Sequence, residues 1–151
     1  LWEALLDDRI DVLATDHAPH TLEEKNNKYL SAPSGGPLVQ HAIPAILEKV
    51  KEGVISLEKA VEKMCHNPAK LFQIEKRGFI KEGYFADLVL IDTNKPQTVS
   101  KDNILYKCGW SPFEGTTFSS TITHTFVNGN LIYNNGIFDD KIKGERITFN
   151  R

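Results

Sequence analysis

The amino-acid sequence predicts an α/β fold in two parts, helical in its first half and β in its second. Three observations support this prediction. A short apolar run at 10–14, typical of a strand buried on both faces, is followed at once by acidic and histidine residues. Apolar residues then recur at helical spacing up to about residue 72. From about residue 77 the pattern becomes that of short strands separated by turns.

The first half should begin with a helix from Trp2 to Asp7, which leads into the strand at 10–14. Residues 16–37 form a long loop rich in proline and glycine, and loops of this length are usually functional or disordered. A helix then runs to about Glu52, and Pro44 must lie in its first turn or kink it.

The next helix should begin after Ser56, whose hydroxyl can cap its N-terminus. Its apolar face, which we expect to be core, consists of Leu57, Ala60, Val61, Met64 and Cys65. Asn67 and Pro68 are expected to end this helix and to begin a short one that reaches Phe72, with Asn67 as cap and Pro68 as first helical residue.

The second half contains the signals of antiparallel strands. A strand is predicted at 85–91, after a turn at 82–83. Residues 122–127 alternate between two faces and lead into Asn128–Gly129, a strong signal for a type I′ hairpin turn. Further strands are expected at 131–133, 137–138 and 146–149.

The most informative stretch is Thr15–His20, which reads Thr-Asp-His-Ala-Pro-His. Because it follows the predicted strand, Asp16 and two histidines emerge at a strand's carboxyl end, where ligands bind in α/β folds. Pro19 should make the turn stiff. This arrangement suits a metal-assisted hydrolase, and we favour it over an aspartate that caps a helix beside two surface histidines.

Five segments of the chain match one protein family in the family's own order. They are 15–25 (TDHAPHTLEEK), 32–36 (APSGG), 66–72 (HNPAKLF), 83–89 (GYFADLV) and 111–115 (SPFEG). With these segments the chain resembles the dihydroorotases of the amidohydrolase superfamily. The segments at 66–72 and 83–89 are shared with hydantoinases and allantoinases, whereas the second histidine, four residues after Asp16, points to dihydroorotase.

The resemblance implies that residues 1–75 form the end of a TIM-like (β/α)₈ barrel of a metal-dependent hydrolase. Residues 76–151 would then form part of a composite β-sandwich. A complete barrel needs about 250 residues, and the 151 residues begin with Leu1 rather than Met, so we expect the C-terminal portion of a longer enzyme. The superfamily's other metal ligands are an HxH pair, a carboxylated lysine and two further histidines. None of these is recognisable here, so the resemblance implies that the chain alone is inactive.

The resemblance assigns Asp16 two roles, as a ligand of a binuclear zinc centre and as the general acid–base. Zinc makes water a nucleophile near neutral pH, and a nearby carboxylate can take up its proton and then protonate the leaving amide nitrogen. His20 is expected to bind the carboxylate of the substrate, an imidazole being a suitable donor to an anion. The alternative for His20 is packing within the loop.

Ser34 and Gly35 correspond to the loop whose backbone contacts the pyrimidine ring in the family, although a simple turn would fit the same residues. His17 has no clear family role; we treat it as structural, with orientation of Asp16 as the alternative. The remaining histidines, His41, His66 and His124, are expected to be structural. Glu23, Glu24 and Lys25 should be solvated loop charges. Cys65 and Cys108 should be reduced, buried or half-buried thiols, since there is no CxxC pair.

The implied activity is the reversible hydrolysis of L-dihydroorotate to N-carbamoyl-L-aspartate in pyrimidine synthesis. The implied setting is a cytoplasmic homo-oligomer that can associate with aspartate transcarbamoylase. Two alternatives stay open: another cyclic amidohydrolase (allantoinase or hydantoinase), and a non-catalytic scaffold subunit. His20 argues against the first, and the retained Asp16 and His20 argue against the second.

Composition limits the partners further. The net charge of −2 gives no electrostatic basis for binding nucleic acid or an anionic membrane. No apolar run approaches the roughly 18 residues of a membrane span. A small-molecule substrate is therefore the expected ligand.

Overall fold

The computed structural model describes residues 1–150, with helices in the first half and antiparallel strands in the second. The helices α1 to α5 span Trp2–Leu6, Leu22–Lys25, Ala42–Lys51, Leu57–Val61 and Asn67–Leu71. The strands β1 to β6 span Leu88–Asp92, Gln97–Thr98, Thr117–Phe118, Thr121–Val127, Asn130–Asn134 and Ile137–Phe138. Turns of 3₁₀ helix lie at Val39–His41 and Lys101–Asn103, and a π-helical turn lies at Glu62–His66. Within residues 1–150, no helix has the length and apolar character needed to cross a bilayer.

The helices predicted at the start and in the middle of the first half are confirmed. Ser56 caps α4, because its hydroxyl accepts the N–H of Lys59 at 3.1 Å, a contact that typically stabilises a helix by about 1 kcal/mol. Pro44 lies in the first turn of α3, where its missing N–H breaks no helical hydrogen bond. Within the long loop, the short helix α2 was not predicted.

The strand predicted at 10–14 is wrong for this chain. Val12 and Leu13 are half-buried, and the Leu13 N–H donates to the Lys63 carbonyl at 3.0 Å instead of to a neighbouring strand. A buried parallel strand needs a partner on each side. Within residues 1–150 this part of the chain makes only the single parallel bridge between His17 and Gly36.

A small apolar core joins the beginning of the chain to α3 and α4. Leu5, Ile55 and Ala60 are buried in it, and Ile10, Leu13, Ile46 and Val50 pack around them. The buried face of α4 and of the π-helical turn after it differs from the predicted one. Ala60 and Lys63 are buried, whereas Leu57 and Val61, which were predicted to be core, are exposed. Cys65 is exposed, which contradicts the prediction of a buried or half-buried thiol, whereas Cys108 is half-buried as predicted. Both cysteines are free thiols.

Lys63 is buried completely, which the hydrophobic pattern did not predict. Its ammonium lies 2.9 Å from the Asp8 carboxylate and donates to the Ile10 carbonyl. Lys59 contacts the same carboxylate at 2.6 Å from the solvent side. Hydrogen bonds from Lys59 and Lys63 lower the pKa of Asp8 to about 2. The contacts of Lys63 with Asp8 and Ile10 therefore anchor the segment that leads to Asp16 to the π-helical turn at Glu62–His66.

Lys63→Met should lower the free energy of unfolding of the full-length protein by about 1–3 kcal/mol, because it leaves the Ile10 carbonyl without its donor. Lys59→Met is the matched control: Lys59 reaches the same carboxylate from the solvent side, where ion pairs contribute little, so its loss should destabilise the protein clearly less. Chemical denaturation of both variants measures the difference. Equal losses would contradict the importance of the buried contact.

The short helix predicted to reach Phe72 is confirmed as α5, but the break predicted before it is wrong, because α4 continues through the π-helical turn into α5. The Asn67 N–H donates to the Glu62 carbonyl, five residues back, and this wider turn accommodates Pro68, which has no N–H to donate. The Asn67 side chain is therefore free of any capping role and donates to the Asp11 carbonyl at 2.8 Å.

The hairpin predicted around Asn128–Gly129 is confirmed, with β4 and β5 paired antiparallel. The two turn residues have φ of 52° and 81°, as a type I′ turn requires. The sheet order is β1-β4-β5-β6, and β2 pairs with β3 in a separate two-stranded sheet that was not predicted.

Two strand predictions in this half need correction. The first strand begins at Leu88 rather than residue 85, because the Asp87 N–H donates to the Phe85 carbonyl at 3.0 Å, two residues back, instead of to a neighbouring strand. The Asp87 carboxylate accepts the N–H of Asn128 at 2.8 Å and pairs with Arg77. The strand predicted at 146–149 is reduced to a bridge between Phe149 and Ile74. Its backbone returns to the turn after α5, where the Glu75 N–H donates to the Thr148 carbonyl.

Candidate active site

The loop that carries the histidines lies beside the glycine-rich loop at 33–37. His17 bridges Gly36, and the Ala18 N–H donates to the Gly36 carbonyl at 3.0 Å. Gly35 has φ of +84°, and a Cβ at that position would lie 2.7 Å from the Ala18 Cβ. The close approach and the left-handed backbone together explain why the second loop needs glycine here.

Asp16 is exposed, and within residues 1–150 its carboxylate has no hydrogen bond or ion pair. Its φ of +45° lies in the left-handed region, a conformation that costs a residue with a Cβ about 1–2 kcal/mol, although Asp tolerates it better than most. A strained backbone that presents an unpaired carboxylate is typical of functional sites. The sequence contained no sign of this strain.

His17 is exposed, and its Nδ1 accepts the backbone N–H of Leu38 at 3.1 Å and of Val39 at 3.3 Å. Its ring packs on that of Tyr106, with centroids 5.1 Å apart. The residue next to Asp16 is thus joined to the beginning of the helix that follows the glycine-rich loop.

His20 is half-exposed, and its Nδ1 lies 3.6 Å from a Glu24 carboxylate oxygen. The same oxygen accepts the N–H of Thr21 at 2.8 Å and completes a capping box for α2. The backbone of His20 is fixed from the other side, because the indole N–H of Trp110 donates to its carbonyl at 2.8 Å. These contacts hold the loop while leaving the imidazole accessible.

Glu23 and Glu24 are exposed, as predicted, although Glu24 also takes part in a local cap, whereas the prediction that Lys25 is a solvated loop charge is wrong. Glu24 belongs to the capping box, and the Lys25 ammonium donates to the carbonyls of Pro33 at 2.7 Å and Gly35 at 2.9 Å. Lys25 therefore ties the two loops together. Ser34 and Gly35 remain exposed beside the histidine loop, where their backbone is accessible to a ligand.

Sequence reasoning also missed the residues that the second half of the chain contributes. Tyr106 contacts His17, and Trp110 contacts His20. The Ser111 hydroxyl is hydrogen-bonded to Nδ1 of the buried His41 at 3.1 Å. Burial lowers the pKa of His41, in keeping with a structural role. For Ser111 a signal was present, since it begins the matched segment at 111–115, which had been given no function; Tyr106 and Trp110 lie outside the matched segments.

The described residues supply one candidate metal ligand. Within residues 1–150 there is no cluster of three or more His, Cys, Asp or Glu side chains able to hold a metal ion. A free carboxylate suits one position of a zinc site, so Asp16 fits as a single ligand. A cavity of about 450 Å³ lies elsewhere, between the start of α3 and the sheet, and is lined by His41, Pro44, Phe118 and Ile122 among others.

Comparison with known proteins shows to which family the sequence belongs. Residues 1–132 match the model of the amidohydrolase family. The chain belongs to the amidohydrolase family. The resemblance inferred from the five segments is thereby confirmed at the level of the family.

Relatives and solved structures of this family agree with that assignment. The chain is 37% identical over 147 residues to a dihydroorotase of Pyrococcus furiosus, covering 97% of the chain and 34% of that protein. It is 44% identical over 132 residues to a dihydroorotase of Endomicrobium trichonymphae, covering 87% and 31%. The chain thus spans about a third of the length of the curated relatives that it matches.

The fold is that of solved amidohydrolases. An L-hydantoinase (dihydropyrimidinase) from Arthrobacter aurescens superposes with a TM-score of 0.84 at 31% identity, covering 91% of the chain and 32% of that structure. A D-hydantoinase from Thermus sp. superposes with a TM-score of 0.84 at 26% identity, covering 91% and 31%. The predicted fold class is confirmed by these similarities.

Proposed function

We propose that the full-length protein is a dihydroorotase and that this chain supplies its acid–base carboxylate and two substrate-binding loops. The observation that carries the proposal is the Asp16 carboxylate, which is exposed and, among residues 1–150, unpaired; it lies on a strained backbone four residues before the accessible His20. Dihydroorotases are also among the relatives with 37% and 44% identity.

The proposal includes the architecture of the longer protein. Residues 1–75 would form the C-terminal end of the barrel, and residues 76–151 part of a composite β-sandwich. The whole enzyme would be a cytoplasmic homo-oligomer, with aspartate transcarbamoylase as a partner. Its binuclear zinc centre would take one ligand, Asp16, from this chain and the others from the remainder of the protein.

L-Dihydroorotate has two ring carbonyls, and hydrolysis adds water to the one next to the ring methylene group. It breaks the bond from that carbon to the neighbouring ring nitrogen and gives N-carbamoyl-L-aspartate. Zinc supplies Lewis-acid activation of water and of the carbonyl when it is bound. Asp16 removes the proton from the attacking water and delivers it to the leaving nitrogen. The same carboxyl group performs these steps in reverse during ring closure.

The two loops give the substrate its orientation. The imidazole of His20 donates to the substrate carboxylate, and the backbone at Ser34 and Gly35 contacts the edge of the pyrimidine ring. The interloop contacts of Lys25 with the carbonyls of Pro33 and Gly35 hold these groups at a fixed separation. Groups that are held in a precise geometry before the reaction can increase its rate by several orders of magnitude.

The decisive experiment is an assay of the full-length protein, loaded with zinc, on L-dihydroorotate, hydantoin and allantoin. Turnover of L-dihydroorotate in both directions, lost on chelation, is expected. A preference for hydantoin would favour the second candidate, which the hydantoinase structures with 31% and 26% identity support. No turnover of any of these substrates by a zinc-loaded protein would favour the scaffold alternative.

Gly35→Ala should raise the KM for L-dihydroorotate by about tenfold, because the new methyl group would overpack against Ala18 and displace the loop. Gly83→Ala is the matched control: Gly83 has a similar φ of +78°, with no atom within 4 Å of a Cβ built there. Steady-state kinetics of the two variants separates the local contact from general backbone strain. A similar KM in both variants would contradict the role of this loop in binding.

A further inference from the structure

The ring of His17 is held in a defined tautomer. Its Nδ1 accepts two backbone N–H groups, from Leu38 at 3.1 Å and Val39 at 3.3 Å. A ring nitrogen that accepts hydrogen bonds carries no proton, so the neutral ring must carry its proton on Nε2. The donors lie more than twenty residues away in sequence, so this is a tertiary contact and not a local turn.

These N–H groups lie at the start of the 3₁₀ turn at 39–41, which continues into α3. The first N–H groups of a helix have no partner within it, and the residue before this turn provides no side-chain cap. His17 takes two of them, and the hydroxyl of Tyr106 accepts the next, from Gln40, at 2.7 Å. The imidazole is therefore a cap supplied from outside the helix, supported by the Tyr106 ring.

The same residue controls the backbone of Asp16. His17 is bonded to Asp16 through the peptide, and its backbone bridges Gly36. Both the side chain and the main chain of His17 therefore contact the segment at 36–39. The residue before His17 is Asp16, which has a φ of +45°. Within residues 1–150 the Asp16 carboxylate makes no hydrogen bond or ion pair of its own, so in this part of the protein its direction depends on the backbone that His17 fixes.

We propose that His17 is a positioning residue for Asp16, acting as the neutral Nε2–H tautomer through the N–H groups of Leu38 and Val39. The proposal rests on the proposed function in that Asp16 is the acid–base residue and zinc ligand. It assigns His17 no contact with substrate or metal.

The test uses three variants of the full-length protein. The amide oxygen of His17→Asn lies near the place of Nδ1 and can accept the same N–H groups, whereas the longer side chain in His17→Gln carries its amide towards the place of Nε2. Zinc affinity, measured by competition with a chelator, should fall about 10–100-fold in His17→Gln and His17→Ala. His17→Asn should stay within about threefold of wild type, well short of such a loss. The kcat for L-dihydroorotate should follow the same order, with KM nearly unchanged.

Equal zinc affinity and kcat in all three variants would overturn the proposal, as would equal impairment of His17→Asn and His17→Gln. The tautomer is tested separately by ¹⁵N NMR of histidine-labelled wild type, with His17→Asn used for assignment. A lone-pair resonance for Nδ1 and a protonated resonance for Nε2 are expected, and the reverse would also overturn it. If the wild type does not hydrolyse L-dihydroorotate, the proposed function fails, but zinc affinity and NMR still decide the role of His17.

Discussion

Asp16→Asn in the full-length protein is expected to abolish turnover of L-dihydroorotate in both directions while leaving the fold intact. Asparagine has nearly the same shape as aspartate and tolerates the left-handed φ of +45° found at this position. It cannot take up a proton from water or deliver one to the leaving nitrogen. General acid–base groups typically contribute about 10²–10⁴-fold, and the loss of an anionic zinc ligand should increase the effect.

Asp11→Asn is the matched control for this experiment. Asp11 is exposed on the same segment, five residues earlier, and its structural contact is made by its carbonyl, which accepts from Asn67 at 2.8 Å. The control should keep wild-type kcat and zinc content. Activity of Asp16→Asn within tenfold of wild type would exclude Asp16 as the acid–base residue, and loss of activity in both variants would point to a structural defect instead.

The sequence predicted the parts of the fold that depend on local chemistry. A serine that accepts the N–H three residues on, and an Asn-Gly pair with two positive φ angles, determine their elements without help from the remainder of the chain. The start of α4 and the hairpin were therefore predictable. The family match likewise depended on short segments that carry their own pattern.

What could not be predicted depends on distant partners. The segment at 10–14 has the composition of a buried strand, but a strand needs neighbours, and the Leu13 N–H instead donates to the backbone of Lys63. The burial of Lys63 depends on Asp8 and the Ile10 carbonyl. Neither contact has a local sequence signal.

The same distinction applies to the candidate site. Asp16 and His20 were identified because they lie in one short motif. Lys25 was misjudged because its partners are the carbonyls of another loop, and Trp110 was overlooked because it reaches the His20 backbone from ninety residues away. A motif shows which groups carry the chemistry, whereas the residues that hold them in position become visible only in three dimensions.

His20→Ala should weaken binding of L-dihydroorotate much more than binding of dihydrouracil, which is the same ring without the carboxylate. The imidazole is accessible and, in its proposed role, donates a hydrogen bond to the substrate carboxylate. Hydrogen bonds to charged groups contribute about 1.5–3 kcal/mol, which corresponds to about a 10–100-fold loss of affinity for the carboxylate-bearing ligand alone. Zinc content should be unchanged, since His20 is assigned to the substrate.

Trp110→Phe separates the imidazole from the loop that carries it. This variant removes the indole N–H that holds the His20 carbonyl at 2.8 Å but keeps the imidazole, so a displaced loop should weaken both ligands by a similar and smaller factor. Calorimetric titration of each variant with each ligand gives the four affinities. If His20→Ala also weakened the two ligands equally, the histidine would only shape the loop. If it lost zinc, the residue would be a metal ligand, and the selective recognition of a carboxylated ring would have to come from another part of the protein.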